Sequence, residues 1–464
     1  MGNFDKKLTI IMILNKTGIF FFAVTIFFIS CATHPREFAE IDTAVGHEDF
    51  PQAVERIRRG QERRRPLYNE RNAILLFLDK GLLEHYAGNW EASARYLLNA
   101  ERLIAEAFTQ SLTQGFLTWI VNDNARDYPG EDFEDIYLNV FNALNFFHMG
   151  DMESALVEIR KLTISSGKLN MLARRHEFVD PNSGAGLGEM LYRETGISQL
   201  PDTIAVNFSN SALARYLSAL FYQAIGDVDS ARIEFEQVYR AFAANRAIYR
   251  HPVPAAVEAS RDQNIPQGMA RLNVLSFTGL SPIKEERTMI HYLPFQHPIL
   301  SIATFRLPVL VPRPSRITRI EVVVEGFEES KSFDLELLED MGAVIEETFK
   351  ARFSSILLKT YIRTILRYAV TDVAVREATR QWGELRGSLV ALSARVALDA
   401  AERADIRMSR FLPNKAHIGG INLDPGEYYV IINYYNGRNI IASERRSITV
   451  SSGRLNLLQS VNLR

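Results

Sequence analysis

The chain of 464 residues contains one cysteine. No disulfide can form within it, so packing alone must hold the fold. A charge excess is also missing: 53 Lys and Arg stand against 55 Asp and Glu, leaving a net charge of −2. Nucleic-acid binders draw their affinity from surplus cations that neutralise phosphates, and that class is set aside. Metal and catalytic signatures are absent from the text of the sequence. Its nine histidines, spread from His34 to His417, form no HExxH motif and no i, i+4 pair. Ser166-Gly167-Lys168 lacks the upstream glycine of a P-loop, and Leu169 stands where the magnesium-binding hydroxyl belongs. Gly184-Ala185-Gly186-Leu187-Gly188 follows no strand pattern and reads as a loop. There is no GxSxG elbow, and one thiol makes no redox pair. The expectation is a chain that is not an enzyme, with no cofactor, no metal and no catalytic residue. An apolar run of bilayer length is missing too. The longest, residues 18–29, is interrupted by Thr25 and falls short of the ~20 residues that span a membrane.

That short run has a specific context. Lys6, Lys7 and Lys16 precede it and Ser30-Cys31 ends it, the outline of a secretory signal peptide. Phe28-Ile29-Ser30-Cys31 resembles a bacterial lipobox, with Phe28 in the position usually held by Leu. The resemblance implies cleavage after residue 30, diacylglycerol on the Cys31 sulfur and an acyl group on its new amine. More than one chain makes a stable anchor, because each buried methylene contributes ~0.8 kcal/mol. Plain secretion, or an uncleaved anchor formed by residues 8–29, are the alternatives. Ala32 in place of Asp after the cysteine resembles an outer-membrane sorting signal of Gram-negative cells. The expected location is therefore the cell envelope, lipid-anchored and facing the periplasm.

Residues 31–464 exceed the ~100–200 residues of one domain. From residue 36 to about 249 apolar residues recur at helical spacing, as in Ala73, Leu76, Phe77, Leu83 and Ala87. One pattern repeats around a turn glycine at Gly88, Gly150 and Gly226. Seven residues before each stands a small residue, Gly81, Ala143 or Ala219. Five after it comes another, Ser93, Ala155 or Ala231, and nine after it a larger apolar one, Leu97, Ile159 or Phe235. Small residues where two helices cross, and large ones in the adjoining groove, are what a packed helix pair requires. A weaker fourth copy begins at Asp49-Phe50. The pattern resembles the tetratricopeptide repeat, with glycine spacings near twice its ~34-residue period.

Pro252, Pro254 and Pro266 mark a boundary near 270. Strand-like runs at 289–294, 299–310 and 317–325 follow. Residues 335–408 then read as helix, broken at Gly383 and Gly387. Asp424-Pro425-Gly426 and the turn Asn436-Gly437 frame a strand-rich tail. The expected fold is α+β: signal peptide 1–30, a tetratricopeptide-like all-helical array 31–270, and a mixed α/β region 271–464.

Four phrases, residues 72–88 (NAILLFLDKGLLEHYAG), 122–142 (NDNARDYPGEDFEDIYLNVFN), 404–407 (ADIR) and 412–426, together resemble a poorly characterised family of bacterial envelope proteins with tetratricopeptide-like repeats, many of them lipoproteins. The resemblance implies an exported helical array joined to a mixed α/β region, with a weak pointer toward cell-wall or outer-membrane assembly.

Three side-chain groups carry chemistry. The acidic phrase 127–135 includes Asp127, Glu131 and Asp132, which suit contact with a partner; carboxylates at a helix start also oppose the positive end of its dipole, worth ~0.3–1 kcal/mol each. Arg56, Arg58, Arg59, Arg63, Arg64 and Arg65 form a basic cluster that suits an anionic surface, or a solvated helix paired with Glu55 and Glu62. Tyr428, Tyr429, Tyr434 and Tyr435 are stacking candidates for a glycan, although alternation along a strand sends half of them inward. The function expected is a non-enzymatic adaptor tethered to a membrane and binding an envelope protein. The alternatives are a glycan-binding module, or a peptidoglycan-acting enzyme with its site in the carboxyl-terminal region.

Overall fold

The structure, a computed structural model, describes residues 34–113, 126–163, 210–262, 265–292, 297–326 and 329–464. Cys31, the signal segment and the loops at 166–169 and 184–188 lie outside the described residues.

Nine helices occupy the first part of the described chain: α1 His34–Gly46, α2 Phe50–Gln61, α3 Ala73–Tyr86, α4 Trp90–Thr113, α5 Asp132–His148, α6 Met152–Thr163, α7 Ala212–Ala224, α8 Val228–Ala244 and α9 Ala255–Arg261. Consecutive helices pack as pairs, α1 with α2, α3 with α4, α5 with α6 and α7 with α8. The repeating glycines explain three of the turns. Gly88, Gly150 and Gly226 all take φ +79°, which a Cβ disfavours. The next residue in each turn then donates back to the closing helix: Asn89 N–H to Glu84 O, Asp151 N–H to Phe146 O and Asp227 N–H to Tyr222 O, each at 2.9 Å. The α1–α2 turn uses the same bond, Asp49 N–H to Ala44 O at 2.9 Å, with Glu48 at φ 61° where the others have glycine. At the first crossing a Cβ on Gly81 would lie 2.6 Å from the Leu97 side chain, and Ser93 Oγ donates to Gly81 O at 2.7 Å. Ala143, Ala155, Ala219 and Ala231 are buried in the other two pairs.

Beyond residue 270 the strands are β1 Ala270–Leu280, β2 Ile283–Tyr292, β3 Ile302–Val311, β4 Arg319–Glu325, β5 Ser330–Asp334, β6 Glu336–Asp340, β7 Pro413–Leu423, β8 Gly426–Asn436, β9 Asn439–Val450 and β10 Asn456–Asn462. Two helices, α10 Met341–Trp382 and α11 Glu384–Ala401, are inserted between β6 and β7. One sheet has the order β10-β1-β7-β6, with β1 and β10 parallel; the other is β5-β4-β8-β9; β2 and β3 form a separate ribbon. Thus 335–340 is extended rather than helical, and the helical region ends at 401. The break falls at Gly383, φ 84°, whereas Gly387 lies inside α11, pressed against Thr379.

Alternation along β1 builds the layers. Leu275 and Phe277 join Leu457 in a core shared with the helices, while Leu272 and Val274 join Leu458, Val322 and Ile432 between the two sheets. The Phe141 and Phe277 rings lie 4.9 Å apart, so the core runs unbroken across residue 270. The chain is accordingly mixed α/β, helices first and sheets after, with β1 buried on both faces.

A polarised chain of hydrogen bonds crosses the same junction. Ser93 Oγ accepts from Asn145 Nδ2 (2.8 Å), and Asn145 Oδ1 accepts from His85 Nδ1 (2.7 Å). His85 Nε2 accepts from Gln459 Nε2 (2.6 Å), and Gln459 Oε1 accepts from His148 Nε2 (2.9 Å). These roles require a neutral His85. Burial lowers its pKa to about 3, and likewise that of His417. Such groups contribute stability that is complete above the ordinary imidazole value of 6.5 and is lost as pH falls toward 3. Glu134 acts in the opposite sense: burial, then the nearby Glu131, pushes it up to about 7 from 4.5, and its contribution fades as pH rises through that window. The His85 contribution is read by comparison: in urea unfolding between about pH 7 and 3.5 the unaltered chain should lose stability relative to His85→Gln as pH falls below 6.5, by at most about 1.4 kcal/mol per pH unit. A difference between the two that does not change with pH down to 3.5 would contradict the neutral histidine chain.

Candidate functional site

The acidic phrase is consumed by the chain's own carboxyl-terminal region. Glu131, just before α5, is ion-paired with both Lys284 and Arg352, and its N–H donates to Glu134 Oε2 at 2.8 Å. Asp132 is buried and Asp127 is exposed. Of the three residues expected to meet a partner, Asp127 alone presents a free surface, because Glu131 and Asp132 sit inside the junction. Glu134 and Asp79, both buried, face one irregular segment before β7 from two helices. Ser409 N–H donates to Glu134 Oε1 (2.6 Å), while Ser409 Oγ and Arg410 N–H donate to Asp79 Oδ1 (2.6 and 2.9 Å). Arg407 reaches Arg126 O at 2.8 Å, with its guanidinium over the Tyr128 ring. Residues 72–88, 126–142 and 404–407 of these phrases therefore converge on a single seam. The carboxylate oxygens of Asp79, Glu131 and Glu134 are filled by internal donors, an arrangement that fixes the junction.

The inner faces of α3, α5 and α7 are closed in the same way. Residues 132–145 of α5 and 212–222 of α7 are buried throughout, under Phe277, Phe411, Leu457 and their neighbours. Within the arginine cluster Arg56 pairs with Glu40 of α1, Arg58 with Glu55 and Glu62, and Arg59 with Glu55. The four tyrosines form no common platform. Tyr434 is buried and bonded to Ser460 Oγ (2.8 Å), Tyr428 bonds Asp424 O, and Arg445 and Arg319 cover Tyr429 and Tyr435.

A groove of about 290 Å³ lies open on the outer side of α2, α3 and α4. Ile57 lies at its floor, and Leu76, Phe77 and Tyr96 line it with half-buried apolar surface. The Phe77 and Tyr96 rings are stacked 6.3 Å apart, and Lys80 Nζ sits 4.5 Å over Tyr96. Arg58, Glu62 and Lys80 give the rim both signs of charge. Gln61 is held by two bonds to the Tyr68 backbone, which fixes the end of α2 beside the groove. Apolar floor and charged rim are the composition of a peptide-binding cleft. Nothing in the sequence marked it, because its residues come from three helices and each reads separately as ordinary amphipathic surface.

Among the described residues no cluster of His, Cys, Asp and Glu could hold a metal ion, and no helix is long and apolar enough to cross a membrane. Protein-family models, curated proteins and solved structures contain no match to this chain.

Proposed function

We propose that the protein is a lipid-tethered, non-enzymatic adaptor of the bacterial cell envelope, whose outer groove on α2–α4 holds an apolar segment of a protein partner. The observation that carries this reading is the groove itself, with Leu76, Phe77 and Tyr96 left half open between charged rims. Three helix pairs closed by the same left-handed glycine turn support a tetratricopeptide-like array, a scaffold that presents extended binding surfaces. The resemblance of residues 72–88 and 122–142 to envelope lipoproteins, and the lipobox-like segment ending at Cys31, support the tether. A tether raises local concentration at the membrane without adding any contact. Membrane and envelope protein are thus the two partners, with no role for nucleic acid.

A photo-crosslinking amino acid at position 77 or 96 of the full chain, expressed in its host, tests the groove. It should give a repeatable adduct with one envelope protein. The same probe at position 91, on the exposed side of α4, should not. Adducts of equal yield from all three positions, or adducts with cell-wall fragments alone, would overturn the protein-adaptor reading and favour a glycan-directed one.

A further inference from the structure

At 1.5 Å per residue the 42-residue helix α10 is about 63 Å long, and α11 folds back along it after Gly383. Tyr368 and Val375 of α10 meet Ala391 of α11 and Phe305 of β3 in a small core of their own. Gly387 presses on Thr379, so Gly387 and Ala391 mark the face of α11 that is packed.

Among the described residues nothing covers the opposite face. Leu385, Leu389, Leu392 and Val396 are 79%, 55%, 51% and 39% exposed. At 100° per residue the four lie within about 60° of one another, on the side away from Gly387 and Ala391. Their spacing is four, three, four, the narrow seam by which one helix packs on another. A helix lying in a lipid surface instead needs a broad apolar face. Here the seam is bordered by Ser388 and Ser393, small and polar, which would lose their hydration in lipid but let a second helix approach.

The geometry points to a second copy of this chain as the occupant: two α11 helices pair antiparallel about a two-fold axis between Leu389 and Leu392. The spacing reads the same in both directions, which is the self-complementarity an isologous contact requires. Leu389 then meets Leu392 of the second copy, and Leu385 meets Val396. The same operation places Arg386 opposite Ser393 and Arg395 opposite Ser388, so like charges do not meet. Two helices of this length joined through four apolar layers bury on the order of 1,000 Å² or less, at the low end of specific interfaces, and the pairing is reversible and concentration-dependent. It does not depend on the groove or on the tether.

Single-cysteine variants of the full chain, treated in host membranes with a short bis-maleimide, test the pairing and its direction. Across the two-fold axis a cysteine at position 389 is offset from its copy by about 4–5 Å along the helix, and one at 385 by about 16 Å. Leu389→Cys should give a dimer band well above that of the unaltered chain, whose only thiol is at Cys31. Leu385→Cys alone should not, and Leu385→Cys co-expressed with Val396→Cys should. All three positions are partly or largely exposed, and unlinked variants with wild-type unfolding midpoints exclude a folding defect. Leu389→Arg, which sets two cations across the axis, should weaken dimerisation of the solubilised protein roughly tenfold or more in sedimentation experiments. No dimer band above the control overturns the proposal. A Leu385→Cys band as strong as that of Leu389→Cys overturns the antiparallel arrangement, and adducts only with a different protein, or with lipid, assign the seam to another occupant.

Discussion

Replacing Glu339 by alanine is expected to lower the unfolding free energy by about 3–5 kcal/mol, because several buried neutral donors lose their acceptor at roughly 1–3 kcal/mol each before relaxation. Glu339 lies at the irregularity of β6, where the register against β7 shifts, and is fully buried. Its carboxylate accepts from the Tyr137 hydroxyl (2.7 Å), the Tyr249 hydroxyl (2.7 Å), Ser211 Oγ (2.8 Å) and Leu213 N–H (3.0 Å). One side chain from the sheet thus fastens α5, the segment before α9 and the first turn of α7. Burial pushes its pKa up and the four donors oppose that rise; the positive end of the α7 dipole also favours an acceptor there. Alanine removes the acceptor of the Tyr137 hydroxyl, Ser211 Oγ and Leu213 N–H, and leaves the Tyr249 hydroxyl only a long contact to Asn210 O at 3.5 Å. Glu339→Gln keeps one carbonyl oxygen and should cost less, because the tyrosine hydroxyls can turn to accept from the amide. Urea titrations followed by helical circular dichroism and by aromatic fluorescence should move together in both variants, since the core joins helices to sheet. A change under about 1 kcal/mol for Glu339→Ala, or separate transitions for the two probes, would show the halves to be independent.

The helix pairs were legible where local chemistry repeats. A glycine at positive φ, a small residue at the crossing and a large one in the groove are all set within one pair, so Gly81, Gly88, Ser93 and their counterparts could be read from spacing. The α1–α2 pair is legible only as the weaker copy at Asp49-Phe50, because Glu48 adopts the left-handed conformation that glycine takes elsewhere. Strand β1 shows no alternation of polar with apolar residues, since both its faces are buried and Asn273, Ser276 and Thr278 interrupt its apolar residues without a period. Residues 335–340 were absorbed into the following helix because Leu335, Leu338, Met341 and Ile345 share helical spacing; strand β6 arises from pairing with β7, far along the chain. The acidic phrase shows the same limit. Its helix-start role was visible, while Lys284, Arg352 and Ser409 stand more than a hundred residues away, beyond the reach of any local pattern.

The proposed tether would govern where every other contact operates, and it rests on one sulfur atom. Without the Cys31 thiol, acylation has no acceptor. Cys31→Ala should persist as an uncut precursor held by its apolar segment, or be released if another peptidase acts. Replacing the first thirty-one residues with an ordinary secretory signal should leave the fold intact, because none of the packing described involves them. That soluble form should still bind the groove's partner in vitro and complement poorly in cells, through lost effective concentration. Metabolic labelling with a fatty-acid analogue, comparing the unaltered chain with Cys31→Ala in the same host, tests this most directly: the expected result is a labelled wild-type protein and an unlabelled variant, and an unlabelled wild type in a host that labels its other lipoproteins would contradict the tethered adaptor.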